Sequence, residues 1–332
     1  MAEWITARAN ELANLSVFAD CFGADLYPLA LLIEPVRAEA GDVIMRQGEP
    51  ADFFLIIARG SAVVQHTDPE GATAEIKVDA GRILGEIALL RHSTRIATVV
   101  AAEDLSGWTG DDDAFDQLIE LPGVLAMLVR TARQRVAAFI EPIPFRLRDG
   151  TELLLRPVLP GDGVRAEKGP VAFSSETMYR RFMTAREPTP ALIDYLSQVD
   201  YVNHFVWVVV DAEEGNIVAD VRYVREQPGQ PVAEIAFIVG DEYQGRGIGS
   251  FLMKALVVAA RVGGIERFTA RVLSENQPMR AILDKFGAEW EREDLGVVST
   301  MMDVPELRDV NLPPELTGRI RDVARQVLEA LG

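Results

Sequence analysis

Glu141-Pro142-Ile143-Pro144 divides this chain of 332 residues into two parts with different sequence periods. Two prolines in three positions end a helix, because proline lacks the amide hydrogen and clashes with the turn before it. On the N-terminal side Phe115, Leu118 and Ile119, then Val124, Leu125, Leu128, Val129, Ala132 and Val136, recur every three or four residues. That spacing predicts a long helix, interrupted near Pro122-Gly123. Further upstream, strand-like runs at 42–46, 53–59, 61–65, 75–78 and 96–101 alternate with turns at Gly41, Gly48, Gly60, Gly71 and Gly81. Short strands at that interval predict a small β-roll or barrel, framed by helices at 13–22 and 26–33. Beyond the prolines, strands at 152–156, 205–211, 217–223, 233–239 and 268–272 are interleaved with helices at 250–260 and 278–286, the pattern of an α/β domain. The chain therefore reads as a two-domain α+β protein. Its N-terminal domain is 1–141, a stiff linker is 142–150, and the second domain is 151–305. A C-terminal segment, 306–332, carries an amphipathic helix on Leu316, Ile320, Val323, Val327 and Leu331.

Charge narrows the partners. The formal net charge is −18, and both sides of the division are acidic, which argues against extended polyanions such as nucleic acid or an anionic membrane. The single cysteine, Cys21, cannot form an intramolecular disulfide and has no basic neighbour in sequence. It reads as packing, in a reducing compartment. The first residues lack a signal-peptide core, and the longest apolar runs, 205–210 and 255–260, are too short to span a bilayer. The expectation is a cytoplasmic protein.

Two stretches carry chemistry. In the first, Gly85-Glu86-Ile87-Ala88 opens a short helical turn and Arg95-Ile96-Ala97-Thr98 leads into a strand. Amides at such a turn suit a phosphate, Arg95 offers a planar charged fork, and Glu86 can accept from a sugar hydroxyl. This run resembles the phosphate-binding cassette of cyclic-nucleotide-binding domains, and Gly41–Gly60 resembles their early barrel. The resemblance implies that Glu86 holds the ribose 2′-hydroxyl and Arg95 the cyclic phosphate. Backbone of Gly85–Ala88 and of Arg95, Ile96, Ala97 and Thr98 adds contacts, and Arg135 on the following helix reaches the base. The family often has Ser or Thr after the arginine where this chain has Ile96. A hydroxyl that some relatives use to read adenine aligns with Phe139, which leaves the choice between adenine and guanine open. Asp111-Asp112-Asp113 suits helix capping better than a divalent metal, and no metal site is expected.

In the second stretch a strand ending at Val239 runs through Gly240-Asp241-Glu242-Tyr243 into Gln244-Gly245-Arg246-Gly247-Ile248-Gly249-Ser250 and a helix. Strand, glycine-rich turn and helix N-terminus together form an anion cradle, and the spacing is neither the dinucleotide fingerprint nor a P-loop. The run resembles the acyl-CoA motif of GCN5-related N-acetyltransferases, carried by Gln244, Gly247 and Gly249. Asn276 and the segment around Lys285 resemble the second CoA-contacting motif. The resemblance implies that Gln244–Ser250 bind the pyrophosphate, that backbone of Phe237, Ile238 and Val239 holds pantetheine and the acyl carbonyl, and that Asn276 and Lys285 add contacts. Many relatives place a tyrosine acid where this chain has Leu283. A lysine amine, with a pKa near ~10.4, must lose a proton before it attacks a thioester. Glu234, at the start of the same strand, is the carboxylate placed to take it, given burial to raise its basicity. His204 is the rival base, with capping of its strand the alternative reading, and Trp207 and Tyr201 read as packing.

The fusion resembles the mycobacterial-type cyclic-AMP-regulated protein lysine acetyltransferases. That implies acetyl or propionyl transfer from CoA to lysines of acyl-CoA synthetases, which switches them off, with universal stress protein as a further substrate. Cyclic AMP is the implied effector and acetyl-CoA the cosubstrate. A nucleotide-switched small-amine acetyltransferase and a sensor with an inert transferase-like domain are the alternatives.

Overall fold

The computed structural model describes residues 3–184, 186, 188–197 and 199–330. The chain divides into two compact units between Phe139 and Ile140.

The first unit begins with α1 (Glu3–Ala13) and α2 (Tyr27–Leu32). The helix expected over 13–22 is instead α1, followed by one 3₁₀ turn at Ser16–Phe18. The reason is visible in α1, whose Ile5, Ala9 and Leu12 form a buried stripe at helical spacing within a segment that is otherwise charged. The strands are β1 (Glu34–Ala38), β2 (Val43–Met45), β3 (Phe54–Arg59), β4 (Ser61–Thr67), β5 (Thr73–Asp79) and β6 (Ile83–Leu84). After a short helix, α3 (Glu86–Leu90), come β7 (Thr98–Ala101) and β8 (Leu105–Gly110). They form two four-stranded sheets, β1-β8-β3-β6 and β2-β7-β4-β5. Met45, Leu55, Ile57, Val64, Leu84 and Val99 make the core of the roll, and a second cluster packs the helices beside it. The expected long helix is α4 (Asp112–Ile119) and α5 (Val124–Phe139), with Gly123 between them at φ 75°. Asp111 caps α4, accepting from the Ala114 amide at 3.1 Å. Cys21 packs against this core, and burial, with Asp25 and Asp20 nearby, pushes its thiol up from the ordinary value.

The second unit is built on one eight-stranded sheet, ordered β15-β16-β14-β13-β12-β11-β10-β9. Its elements are β9 (Ile143–Arg146), β10 (Glu152–Pro157), α6 (Asp162–Lys168), α7 (Ser175–Phe182), α8 (Pro190–Ser197), β11 (His204–Asp211) and β12 (Ile217–Arg225). They continue with β13 (Val232–Val239), α9 (Ile248–Val262), β14 (Arg267–Leu273), α10 (Gln277–Asp284), β15 (Glu291–Asp294), β16 (Val297–Asp303) and α11 (Pro314–Leu328). The stretch expected as linker thus contains β9, the edge strand, where Pro144 removes no ladder bond that a neighbour needs. One face of the sheet buries Phe205, Trp207, Val221, Tyr223 and Phe268, and α9 lies on it, with the Trp207 indole donating to the Ala255 carbonyl at 3.1 Å. On the other face α6 lies against β12 and α7 against β13. Arg156 binds Asp162 through two nitrogens at 2.6 and 3.0 Å, which fixes the first turn of α6 to β10.

All pairs in this sheet are antiparallel except one. β13 and β14 run parallel, and they pair only at Val232↔Arg267, Ala233↔Phe268 and Glu234↔Thr269. β12 follows β13 all the way to Val239. From Ile235 onward, then, one side of β13 has no strand beside it, and the sheet opens into a fork.

Candidate functional site

The fork is the wall of a cleft of about 1990 Å³. Glu234 stands at its root, the last β13 residue paired with β14, exposed and lining the cleft. The burial that the base role was expected to draw on is absent. Ile235–Val239 line the cleft beyond it, and alternate backbone amides and carbonyls there point into the opening instead of into a ladder. At the far end of β13 the chain turns through Gln244–Gly247 into α9. Gly247 caps the helix at φ 94°, a conformation in which any side chain is strained. At Gly249 a Cβ would lie 2.7 Å from Ile282 Cδ1 of α10, the movable end of a half-buried side chain. The first amides of this fifteen-residue helix have no partner within it and face the cleft, an arrangement suited to a diphosphate.

The side chains of the loop are held from several sides. The Gln244 amide donates to Thr177 Oγ1 at 2.9 Å and to the Val239 carbonyl at 3.0 Å. Asp241 accepts from the Thr177 hydroxyl at 2.6 Å and from the Ser174 amide at 2.8 Å. Burial opposes its ionisation, but those donors win and hold its carboxyl below the ordinary value. Arg246 pairs with Asp149 at 2.7 Å, also donates to Thr151, and lies over the Tyr243 ring. Hydrogen bonds from Thr151, then from Arg246, hold Asp149 down at about 2. None of Asp149, Thr151, Thr177 or Asp241 was anticipated, because each lies far from its partner in sequence or reads as ordinary loop polarity. The cleft is further lined by Arg180, Arg181 and Met183 after β10, and by 309–313 with Arg319 near the C-terminus.

Other expected residues fall differently. Asn276 and Lys285 line the cleft, but the Asn276 carbonyl oxygen caps α10, accepting from the Met279 amide at 3.2 Å. Leu283 is fully buried, so no acid stands at that position. His204 is central in the sheet, only 7% exposed, and does not line the cleft. Burial, then Arg222 beside its ring, pushes it down to about 4, which makes it a poor base. Tyr201 is also buried, and burial pushes its hydroxyl far above the ordinary range.

In the first unit Gly85, at φ 88°, caps α3. Glu86 is 1% exposed and its carboxylate is paired with Arg135 from α5. Arg95, 4% exposed, donates to the Phe53 carbonyl at 2.6 Å and the Gly85 carbonyl at 3.2 Å, and stacks on the Phe53 ring. Desolvation lowers its pKa against the pull of Asp52, Glu86 and Glu49. Gly85, Glu86, Ile87, Ala88, Arg95, Ile96, Ala97 and Arg135 all line one small cavity of about 40 Å³, together with Phe139. Thr98 does not line it, and its hydroxyl accepts from the Gln47 amide at 3.1 Å. That volume is near the roughly 30 Å³ share of a single water. A nucleotide needs more room than that, and α5 contributes two of the lining residues, Arg135 and Phe139. Arg135 faces the carboxylate expected to bind ribose, not an open base site.

The comparisons with known proteins meet this geometry. The model of the cyclic nucleotide-binding domain matches 35–121, and that of the acetyltransferase (GNAT) family matches 174–288. Acetyltransferase Pat of Mycolicibacterium smegmatis is 53% identical over 331 residues, 100% of this chain and 99% of that protein. The chain belongs to the Pat acetyltransferases. Solved structures of a relative extend the likeness to the fold of the Pat family. The cAMP-binding acyltransferase from Mycobacterium smegmatis is 49% identical, with a TM-score of 0.54 and 100% of each chain covered. Its R95K mutant gives 0.53 with 99% of each chain. Like them, this Pat-family chain is an acyltransferase that joins a cyclic-nucleotide-binding domain to a GNAT domain. Among the described residues no helix is long and apolar enough to cross a membrane.

Proposed function

We propose that this acetyltransferase is controlled by cyclic AMP and transfers acetyl, or propionyl, from CoA to lysine side chains of proteins, acyl-CoA synthetases first among them. Residues 1–141 are the regulatory domain and 151–305 the transferase. The observation that carries the reading is the position of Glu234, exposed at the root of the fork where an acyl thioester would lie beside the freed strand edge. Acetyl-CoA supplies the activated acyl group. Gln244–Ser250 hold its diphosphate on the α9 amides, and backbone of Phe237–Val239 pairs with the pantetheine amides. Glu234 takes one proton from the lysine ammonium, directly or through one water. The free amine attacks the thioester carbonyl, the C–N bond forms, and the C–S bond breaks. Freed β13 amides stabilise the oxyanion between those events. The second amine proton leaves with the CoA thiol, without a tyrosine at Leu283.

Cyclic AMP acts by differential affinity. Its ribose hydroxyl competes with Arg135 for Glu86, and its phosphate competes with two backbone carbonyls for Arg95. Binding thus favours an arrangement in which α5 has left the barrel. The solved relative is a cAMP-binding acyltransferase, and one of its structures carries an R95K substitution, an arginine this chain also has at 95. The test is acetylation of an acyl-CoA synthetase followed by mass spectrometry, with and without cyclic AMP. Lysine acetylation that rises with cyclic AMP and inactivates the synthetase is expected. Transfer confined to small amines would overturn the reading.

A further inference from the structure

The sheet face that carries Glu234 is covered on one side of that residue and bare on the other. Over β12 and β13 it lies beneath α6 and α7. Over β14 and β16 its side chains stay in solvent: Arg267, Arg271, Met301 and Asp303 are exposed, Met301 at 52%. Their alternate neighbours Phe268, Ala270, Val272, Thr300 and Met302 are buried on the opposite face. Register makes this bare half continuous with the reaction centre. Glu234, Thr269 and Met301 form one cross-strand row, with Arg267 and Asp303 in the row before it and Arg271, Ser299 and Glu291 in the row after it.

The balance of charge on this platform is negative. Arg271 is neutralised by Glu293 at 2.8 Å. Among the described residues Glu226, Glu291, Asp303 and Arg267 form no salt bridge, so three carboxylates share this half of the face with one guanidinium, while Glu234 at its edge interacts with Arg181 of α7. Glu226 stands beside Thr269, whose hydroxyl donates to it at 3.3 Å. An exposed methionine amid carboxylates suits a ligand with long aliphatic stems and cationic heads.

Resting on the protein-lysine reading above, we infer that the bare face of β14 and β16 docks the acceptor, and that it selects a lysine set in a basic, extended segment. Strands lie about 4.8 Å apart, so Met301 is roughly 10 Å from Glu234, and an extended chain covers that in about three residues. The preference therefore belongs to residues within about three positions of the target lysine.

The test compares two short peptides, one lysine flanked by arginines and one flanked by glutamates, with full-length enzyme, saturating acetyl-CoA and cyclic AMP. The arginine-flanked peptide is expected to have about 10-fold higher kcat/KM or more, through KM, and to lose that advantage in high salt. The variant carrying Asp303→Arg and Glu291→Arg narrows the ratio to about 3-fold or less, while the KM for acetyl-CoA and the rate with free lysine amide stay at wild-type values. Where that variant does not fold, Met301→Ala must raise the KM of both peptides. Equal use of both peptides by the wild type, or an unchanged ratio in the variants, overturns the platform and leaves lysine transfer standing. Failure with every lysine peptide alongside turnover of small amines overturns both readings. A variant that alters oligomeric state but not peptide preference assigns the face to a second copy and overturns the proposal.

Discussion

The two loops proposed to bind phosphate use one local device and leave it in opposite conditions. Gly85 and Gly247 both cap a helix with φ near 90°. Around Gly85 the structure is packed: an added Cβ would lie 2.7 Å from Arg95 Nη1 and 2.9 Å from Met45 Cε, and the cavity is about 40 Å³. Around Gly247 nothing lies within 4 Å, and the cleft is about 1990 Å³. In the proposed function the short α3 needs Arg95 to complete its anion site, whereas the longer α9 presents its amides already exposed. A site that must be pried open can serve as a switch, because opening it changes what its neighbours touch. A site that stands open serves a cosubstrate present at every turnover.

The largest effect should separate binding from chemistry in the open cleft. Glu234→Gln is expected to cost about 10²–10⁴-fold in acetyl transfer. Its acetyl-CoA affinity by calorimetry should stay at the wild-type value without added nucleotide, and an affinity that appears only with cyclic AMP would break the contrast between open and closed sites.

Acid should distinguish the units next. His204 is buried and neutral in the folded transferase at about 4, below its unfolded value near 6.5. The unfolded chain thus binds the extra proton first, so stability is complete above pH ~6.5 and falls by roughly 3 kcal/mol towards pH 4. His204→Asn should flatten denaturant midpoints across that window.

In the closed pocket, Arg95→Ala is expected to weaken cyclic AMP by about 10–100-fold, since hydrogen bonds to charged groups contribute ~1.5–3 kcal/mol. Wild-type affinity by calorimetry would remove Arg95 from the phosphate site. The smallest effect sharpens the comparison itself. Gly247→Ala should cost only the backbone term of about 1–2 kcal/mol, whereas Gly85→Ala adds a clash with Arg95 and should lower the melting temperature further.

The sequence made the local devices legible and concealed what approaches them from afar. Gly85, Gly247 and Gly249 could be read because turn, helix and glycine are contiguous. Val232–Val239 could be read as a strand, but the point where β14 leaves it could not, since register is set by tertiary pairing. The polar row Asp220, Arg222 and His204 was equally hidden: Arg222 binds Asp220, the Leu196 carbonyl and the histidine at once, three partners from separate elements. Strand β15 escaped because Glu291–Asp294 is wholly charged and exposed, with no apolar alternation to announce it. The edge strand within 142–150 stayed hidden for a local reason, since prolines that forbid a helix are tolerated on an edge strand.

The fork between β13 and β14 has one more consequence. Pantetheine carries two amides, so an acyl-CoA laid along Ile235–Val239, as proposed, would act as a short strand that finishes the sheet. Each molecule bound holds the folded transferase against unfolding, by about 2.7 kcal/mol at a hundred times the dissociation constant. The supply of acyl donor then governs how long the enzyme survives heat and proteolysis, and a starved cell would hold not only an idle transferase but a more perishable one.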